Sequence, residues 1–250
     1  MVLLIGLFAA FSACSDYSSL DESVEILSLD EDGFSTALTD NIKKTLTTDS
    51  VATEAEMQTL LYMREEEKMA NNLYASFFAN DNLQVFERIS RSEATHAEAI
   101  LLLITTFGGT DNSPAEAGKF TNAAIQALYD ELLAKGTVSD TNALKIGAKV
   151  EEVDILDLQK AISETSNENI LLVYNNLLRA SRNHLRAFNR FLTEAGVTYV
   201  PEHLTAEEFT AIVTSPMEKG DRKMCNDGKG KKGENGKQKG GKGKKGKGRH

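Results

Sequence analysis

The side chains best placed to do chemistry together lie in Ser92-Glu93-Ala94-Thr95-His96. Glu93 and His96 are three residues apart, so on a helix they project from one face. Phe86, Ile89, Ile100 and Leu103 share that stripe at spacings of three or four, which marks it as the buried one. A carboxylate and an imidazole on a buried stripe are costly to desolvate without compensation. That compensation is a partner charge, a hydrogen-bond network or a metal ion.

Three other segments show the same pattern. Glu67 interrupts the row Leu60, Met63, Ala70, Tyr74, Phe77, while Glu65 and Glu66 read as a solvated face. Glu151 interrupts Leu144, Gly147, Ile155, Leu158, Ile162, with Asp154 one turn on and Glu152 about a quarter-turn away. His184 falls within Leu171, Tyr174, Leu177, Leu178, Ser181, Leu185, Phe188, Leu192. If the four faces meet, three carboxylates and two imidazoles share one dry layer. Each unpaired charge there costs several kcal/mol, an order-of-magnitude figure. One or two divalent ions would neutralise the carboxylates, and both imidazoles would serve as neutral donors. Carboxylate and imidazole without thiolate suit iron or manganese, with zinc a further option. The alternative is a core whose polar groups pair among themselves.

The elements that must position these residues are helical. The chain has 250 residues with only 3 Pro and no Trp, a composition that favours helices over a sheet. Thr53 with Glu56 fits a capping box and opens a helix to about Ala79. A second helix runs from about Leu83 to Phe107, stopped by Gly108-Gly109. A long connection follows, with one short helix over about Thr121–Ala134. Two more long helices span about Asp140–Ser163 and Glu168–Ala195, and a short one starts at Thr205. Four amphipathic helices of about 25 residues form a four-helix bundle, with their midpoints level.

Both ends read as non-globular. Met1–Ala13 is apolar, too short to span a bilayer as a mature helix, and reads as a secretory signal peptide over 1–13. The small residues before Cys14, with Ser15-Asp16 after it, resemble a bacterial lipoprotein processing site. That resemblance implies lipidation of Cys14 and a membrane-anchored place on the cell envelope, at a periplasmic or outer-membrane face. Residues 14–52 read as an acidic tether with a short helical turn near Thr36–Thr45, 53–215 as the bundle, and 216–250 as a disordered Gly/Lys-rich tail. The net charge of −9 hides an asymmetry: Lys219–His250 holds 13 Lys and Arg against 3 Asp and Glu, a net of +10, leaving −19 for the rest. A basic tail on an acidic body points to polyanions as partners. Without aromatic residues to stack on bases, the tail does not suit sequence-specific nucleic-acid binding. The 2 Cys, Cys14 and Cys225, lie outside the helical body, so neither a disulfide framework nor a Cys-based zinc site is expected.

The run Glu67-Lys68-Met69-Ala70-Asn71-Asn72-Leu73-Tyr74, followed by Ser92-Glu93-Ala94-Thr95-His96, resembles the ferritin-like superfamily, particularly its rubrerythrin and bacterioferritin branch. More narrowly, Tyr62–Lys68, Gly147–Ile155 and Ser181–Phe188 are similar to an uncharacterised ferritin-like subfamily, domain of unknown function 2202. The resemblance covers about residues 53–195. It implies an all-α, ferritin-like four-helix bundle with a long crossover carrying a short helix. It also implies metal ligation by Glu67, Glu93, His96, Glu151 and His184, with Glu152 or Asp154 as alternatives on the third helix. The superfamily has Glu three residues before the fourth-helix histidine, where this chain has Ser181. A hydroxyl is a poor substitute for a bridging carboxylate. Either Asp154 supplies the missing oxygen or the site holds a single ion.

Three functions compete. The first is an oxidoreductase whose metal centre acts on oxygen, peroxide or ferrous iron. The second is a metal-binding module without turnover. The third is a structural lipoprotein that binds polyanions through its tail.

Overall fold

The computed structural model describes residues 27–29, 35–37, 46 and 51–219. The leader, Cys14, most of the acidic segment and the chain beyond residue 219, Cys225 included, lie outside the described residues.

Helix α1 (Glu54–Asp81) starts at the capping box that the sequence predicts. The Thr53 side chain accepts from the Glu56 N–H at 3.2 Å, and the Glu56 carboxylate accepts from the Thr53 N–H at 2.8 Å. Asn82, at φ 56°, ends it in the left-handed region. Helix α2 (Gln84–Thr106) begins two residues later, so the pair is an antiparallel hairpin. Gly108, at φ 77°, turns the chain out of α2. Helix α3 (Ala123–Gly136) is capped by Asn122 and lies in the crossover. Helices α4 (Asp140–Ser163) and α5 (Glu168–Glu194), capped by Ser139 and Asn167, form the second hairpin. Helix α6 (Ala206–Thr214) opens at a second capping box, Thr205 with Glu208.

The long helices α1, α2, α4 and α5 enclose one core, with α2 against α5 and α1 against α4. Glu67, Glu93, His96 and Glu151 fall near the midpoints of their helices, and His184 lies one turn past the middle of α5. On one side of that layer Tyr74, Phe77, Phe86 and Phe188 pack ring to ring, with centroids 5.3–6.1 Å apart. Each such pair adds about 0.5–1.5 kcal/mol beyond its buried area. Among the described residues no helix is long and apolar enough to cross a membrane.

Two expectations are corrected. Glu65 and Glu66 do not face solvent: they are 6% and 4% exposed. Glu66 faces Asp154 and Asp157 of α4, and the rest of this polar face of α1 meets the crossover instead of water. The Glu65 carboxylate accepts from the backbone N–H groups of Thr121 at 2.6 Å and Asn122 at 2.7 Å. Lys68 donates to Ser113 Oγ and the Pro114 carbonyl, and Asn72 Oδ1 accepts from the Gly118 N–H. Loop backbone has unpaired donors and acceptors that must be met, and these side chains meet them. The second correction concerns the turn expected near Thr36–Thr45. Its first residues are extended: strand β1 (Leu27–Leu29) pairs antiparallel with strand β2 (Ser35–Ala37), with Thr36 opposite Ser28, and β2 lies against α2. The ladder takes the backbone groups that a helical turn would have used.

At the other end, Glu218 is still held by the bundle. It pairs with Arg182 and Arg186 of α5, at 2.7 Å from Arg182 Nε and from Arg186 Nη2.

Helices α4 and α5 approach closely at Gly147, where a Cβ would lie 2.6 Å from the Phe188 ring, itself fully buried. Gly147→Ala is expected to cost about 1–3 kcal/mol through overpacking. The melting temperature should fall by roughly 3–10 °C. Adding Phe188→Leu should recover part of that loss, and thermal melts of the two single variants and the double variant measure the coupling.

Candidate metal centre

The four faces bring Glu67, Glu93, His96, Glu151 and His184 into one layer, each no more than 2% exposed. Glu93 stands between the two histidines. Its Oε2 is 2.8 Å from His96 Nδ1, and its Oε1 is 2.8 Å from His184 Nδ1. Glu67 Oε2 approaches His96 Nδ1 at 3.2 Å, and Glu151 Oε2 approaches His184 Nδ1 at 3.4 Å. The result is two groups that share Glu93. In Glu67/Glu93/His96 and in Glu93/Glu151/His184, the donor atoms lie within 4.8 Å of one another. The imidazoles stack, with centroids 5.5 Å apart and planes at 18°.

Neighbouring hydroxyls set the orientation. Ser92 Oγ lies 3.4 Å from His96 Nε2 and 3.0 Å from His184 Nε2, so one hydroxyl faces the far nitrogen of both rings. Turning Nε2 toward Ser92 directs both Nδ1 atoms at the carboxylates. Tyr74 donates to Glu151 Oε1 at 2.7 Å. Ser181 Oγ sits within hydrogen-bond reach of Asp154 Oδ2 and, at 2.9 Å, of the Leu177 carbonyl. Asp154 belongs to neither three-residue group, yet its charge is felt by the cluster.

Burial dominates the electrostatics. It pushes Glu67 well above the usual carboxylate range, and the negative charge of Glu93 adds to the rise. Burial and then Glu93 raise Glu151 to about 7. Burial, followed by Glu67, Glu151 and Glu93, raises Asp154 strongly. Burial opposes charge on Glu93 too, but His184 and His96 outweigh it and hold that carboxyl well below its ordinary value. The histidines move the other way. Burial alone would lower His184, but Glu93 and Glu151 lift it to about 9. Against the same burial, Glu67 and Glu93 lift His96 well above its usual value. Burial and mutual repulsion thus favour proton binding at Glu67, Glu151 and Asp154, a charge compensation that a bound cation could equally supply.

The donor set fits a cation. Glu67 Oε1 and Asp154 Oδ1 are buried and take no hydrogen bond. Buried carboxylate oxygens without donors are costly, and coordination would satisfy them. The buried Glu and His groups could thus hold a metal ion.

The structure brings together all five of the main sequence-predicted ligands. It gives the two alternatives different places. Asp154 abuts the cluster. Glu152 is ruled out as a donor because both of its oxygens are engaged elsewhere. They accept from the Tyr199 hydroxyl at 2.6 Å and from the backbone N–H groups of Glu202, His203 and Leu204 at 2.7–3.3 Å. Its quarter-turn offset from Glu151 turns it to the segment before α6. Sequence reasoning missed the role of Ser92, although its spacing of four from His96 puts both on one face.

Solved and curated relatives share this body of the chain. The crystal structure of hypothetical protein MJ0754 from Methanococcus jannaschii DSM 2661 superposes with a TM-score of 0.67 at 39% identity, covering 70% of this chain and 99% of that one. Uncharacterized protein MJ0754 of Methanocaldococcus jannaschii is 41% identical over 168 residues, which is 67% of this chain and 91% of that protein. The family DUF2202, described as an uncharacterized protein domain, matches residues 56–216, a span that contains every member of the buried cluster. The chain belongs to the DUF2202 family.

Proposed function

We propose that this protein is a ferritin-like metal-binding protein of the cell envelope. In this reading Glu67, Glu93, His96, Glu151 and His184 would hold one or two iron or manganese ions, and Cys14 carries a lipid anchor. The observation that carries the proposal is the split of Glu93, one oxygen toward each histidine at 2.8 Å. A carboxylate that only needed a charge partner would be satisfied by one imidazole. Facing two, with a further carboxylate beside each, it has the geometry of a bridge. Glu67 and His96 would complete one coordination set, and Glu151 and His184 the other. Iron or manganese held there would supply electron transfer to oxygen or peroxide, or oxidation of ferrous iron. Ser92 and Tyr74 hold the donors in place, and the aromatic cluster keeps water away from one side. The basic tail adds a salt-sensitive attraction to polyanions.

Elemental analysis of the purified protein should find about one to two iron or manganese ions per chain. Glu93→Gln and His96→Ala should each lose most of that metal while keeping the helical circular-dichroism signal. A wild-type protein that stays metal-free after reconstitution, with its helices intact, would overturn the proposal.

The pKa directions fix how the metal-free protein responds to pH. His184 (about 9) and Glu151 (about 7) sit above their ordinary values, so the folded state binds protons that the unfolded chain has released. A raised group contributes stability below its unfolded pKa, and that stability is lost as pH rises through the folded one. Glu93, shifted down, has the opposite sign, but its contribution is complete above about pH 5. Chelator-treated protein should therefore melt several degrees lower at about pH 9 than at pH 6, of order 3 kcal/mol from His184 alone. Added manganese should remove most of that slope, because metal replaces the protons. Melts across this range, with and without metal, check both parts.

A further inference from the structure

Buried acids in this fold divide into two kinds. Glu65 and Glu152 are surrounded by N–H and O–H donors and hold loops in place. Glu66 and Asp154 are as deeply buried, at 4% and 7% exposure, yet Glu66 Oε2 and Asp154 Oδ1 take no hydrogen bond. On each, one oxygen is left that no structural hydrogen bond accounts for.

Their placement does. Along α4, Glu151, Asp154 and Asp157 follow at spacings of three, on one face of the helix. Burial falls steadily along that row: Glu151 is 2% exposed, Asp154 7%, and Asp157 is half-buried. Glu66 of α1 faces the outer part of the row, where Asp154 and Asp157 both act on it. Asp154 in turn acts on both sides, interacting with Glu67, Glu151 and Glu93 inward and with Glu66 and Tyr62 outward. Beyond Asp157 the seam between α1 and α4 opens into a groove of about 440 Å³, lined by Thr59, Tyr62, Asp157, Lys160 and Glu164 among others. Lys160 and Glu164 stand exposed at its rim. Acidic side chains thus occupy successive positions from the groove inward to the buried centre, on the seam between α1 and α4.

We propose that Asp157, Glu66 and Asp154 form a path along which a divalent cation moves from the α1–α4 groove to the Glu93 centre. The inference rests on the metal-binding reading above and adds a route to it. Successive carboxylates replace the water that a cation sheds, and the donor-free oxygens of Glu66 and Asp154 are held ready for it. Asp157 and Glu66 are waypoints and not final ligands, since neither joins the two donor groups at the centre.

The test separates rate from capacity. Metal-free protein is mixed with cobalt(II) in a stopped-flow instrument, and visible absorbance follows uptake. Elemental analysis then gives the final ions per chain. Glu66→Gln and Asp157→Asn keep shape and remove charge. Each should slow uptake about tenfold, the scale of electrostatic guidance. Final cobalt content should equal the wild type. Glu131→Gln, on the exposed face of α3, should change neither. Unchanged rates at full content would overturn the path and leave the centre standing. A reduced final content in both variants would also overturn it, because they would then be ligands. Wild-type protein that binds no cobalt would sink the path and the metal reading together. Should Glu66→Gln fail to fold, the half-buried Asp157→Asn decides alone.

Discussion

The structure depends on keeping the Glu93 carboxylate charged inside a dry core. Burial alone would protonate it. Two histidines hold it ionised, and Glu93 in turn, with Glu151 beside His184 and Glu67 beside His96, favours their charged form. No member of this set is tolerable alone: an isolated buried charge costs several kcal/mol even after relaxation. The consequence reaches the whole fold. Four helices must present their ionisable groups at the same level, so the hairpin turns and the crossover have to hold α1, α2, α4 and α5 in register. The close approach at Gly147 and the aromatic cluster beside it supply the packing that keeps this level fixed.

What surrounds a buried acid separates structural from chemical roles here. Glu152 accepts from three consecutive backbone N–H groups and a tyrosine hydroxyl, and so organises the chain before α6. Glu65 does the same for the start of α3. Such carboxylates are satisfied, and a cation would have to displace their donors. Glu67 is served by one histidine, and its Oε1 is left without a hydrogen bond. Depth of burial is similar in all three cases. The difference lies in how many donors the backbone has aimed at each.

Much of this was readable from the chain because the long helices are regular. The apolar rows at spacings of three and four placed Leu60, Met63, Tyr74 and Phe77 on one face, and all are buried. The ionisable residues interrupting those rows then had to point inward, which is why the five main candidates meet. Both capping boxes were also legible, since Thr53 with Glu56 and Thr205 with Glu208 are local patterns with local consequences. Glu65, Glu66 and Glu152 were not legible as buried residues. Periodicity separates apolar from polar faces but does not say what a polar face touches. Glu65 and Glu152 touch loop backbone, whose position depends on the tertiary course of the crossover and of the segment before α6, whereas Glu66 faces Asp154 and Asp157 of a neighbouring helix. The pairing of Ser35–Ala37 with Leu27–Leu29 was likewise hidden, because strands of three residues are too short for alternation to stand out.

Ser181 couples α5 to an acid of the neighbouring helix. The resemblance leads one to expect a carboxylate on α5 one turn before His184. The chain has a hydroxyl there, and that hydroxyl reaches Asp154 on the neighbouring helix. The acid on this side of the cluster lies on α4, which carries both Glu151 and Asp154 on one face. Its position makes the surroundings of the two groups unequal. Glu67/Glu93/His96 draws on α1 and α2, whereas Glu93/Glu151/His184 has the extra acid of α4 close by. Asp154, anchored through one oxygen by Ser181, keeps the other without a hydrogen bond. An acid fixed in that way is better placed to pass a cation inward than to hold one, because a final ligand set gains from short, shared contacts that Asp154 does not make.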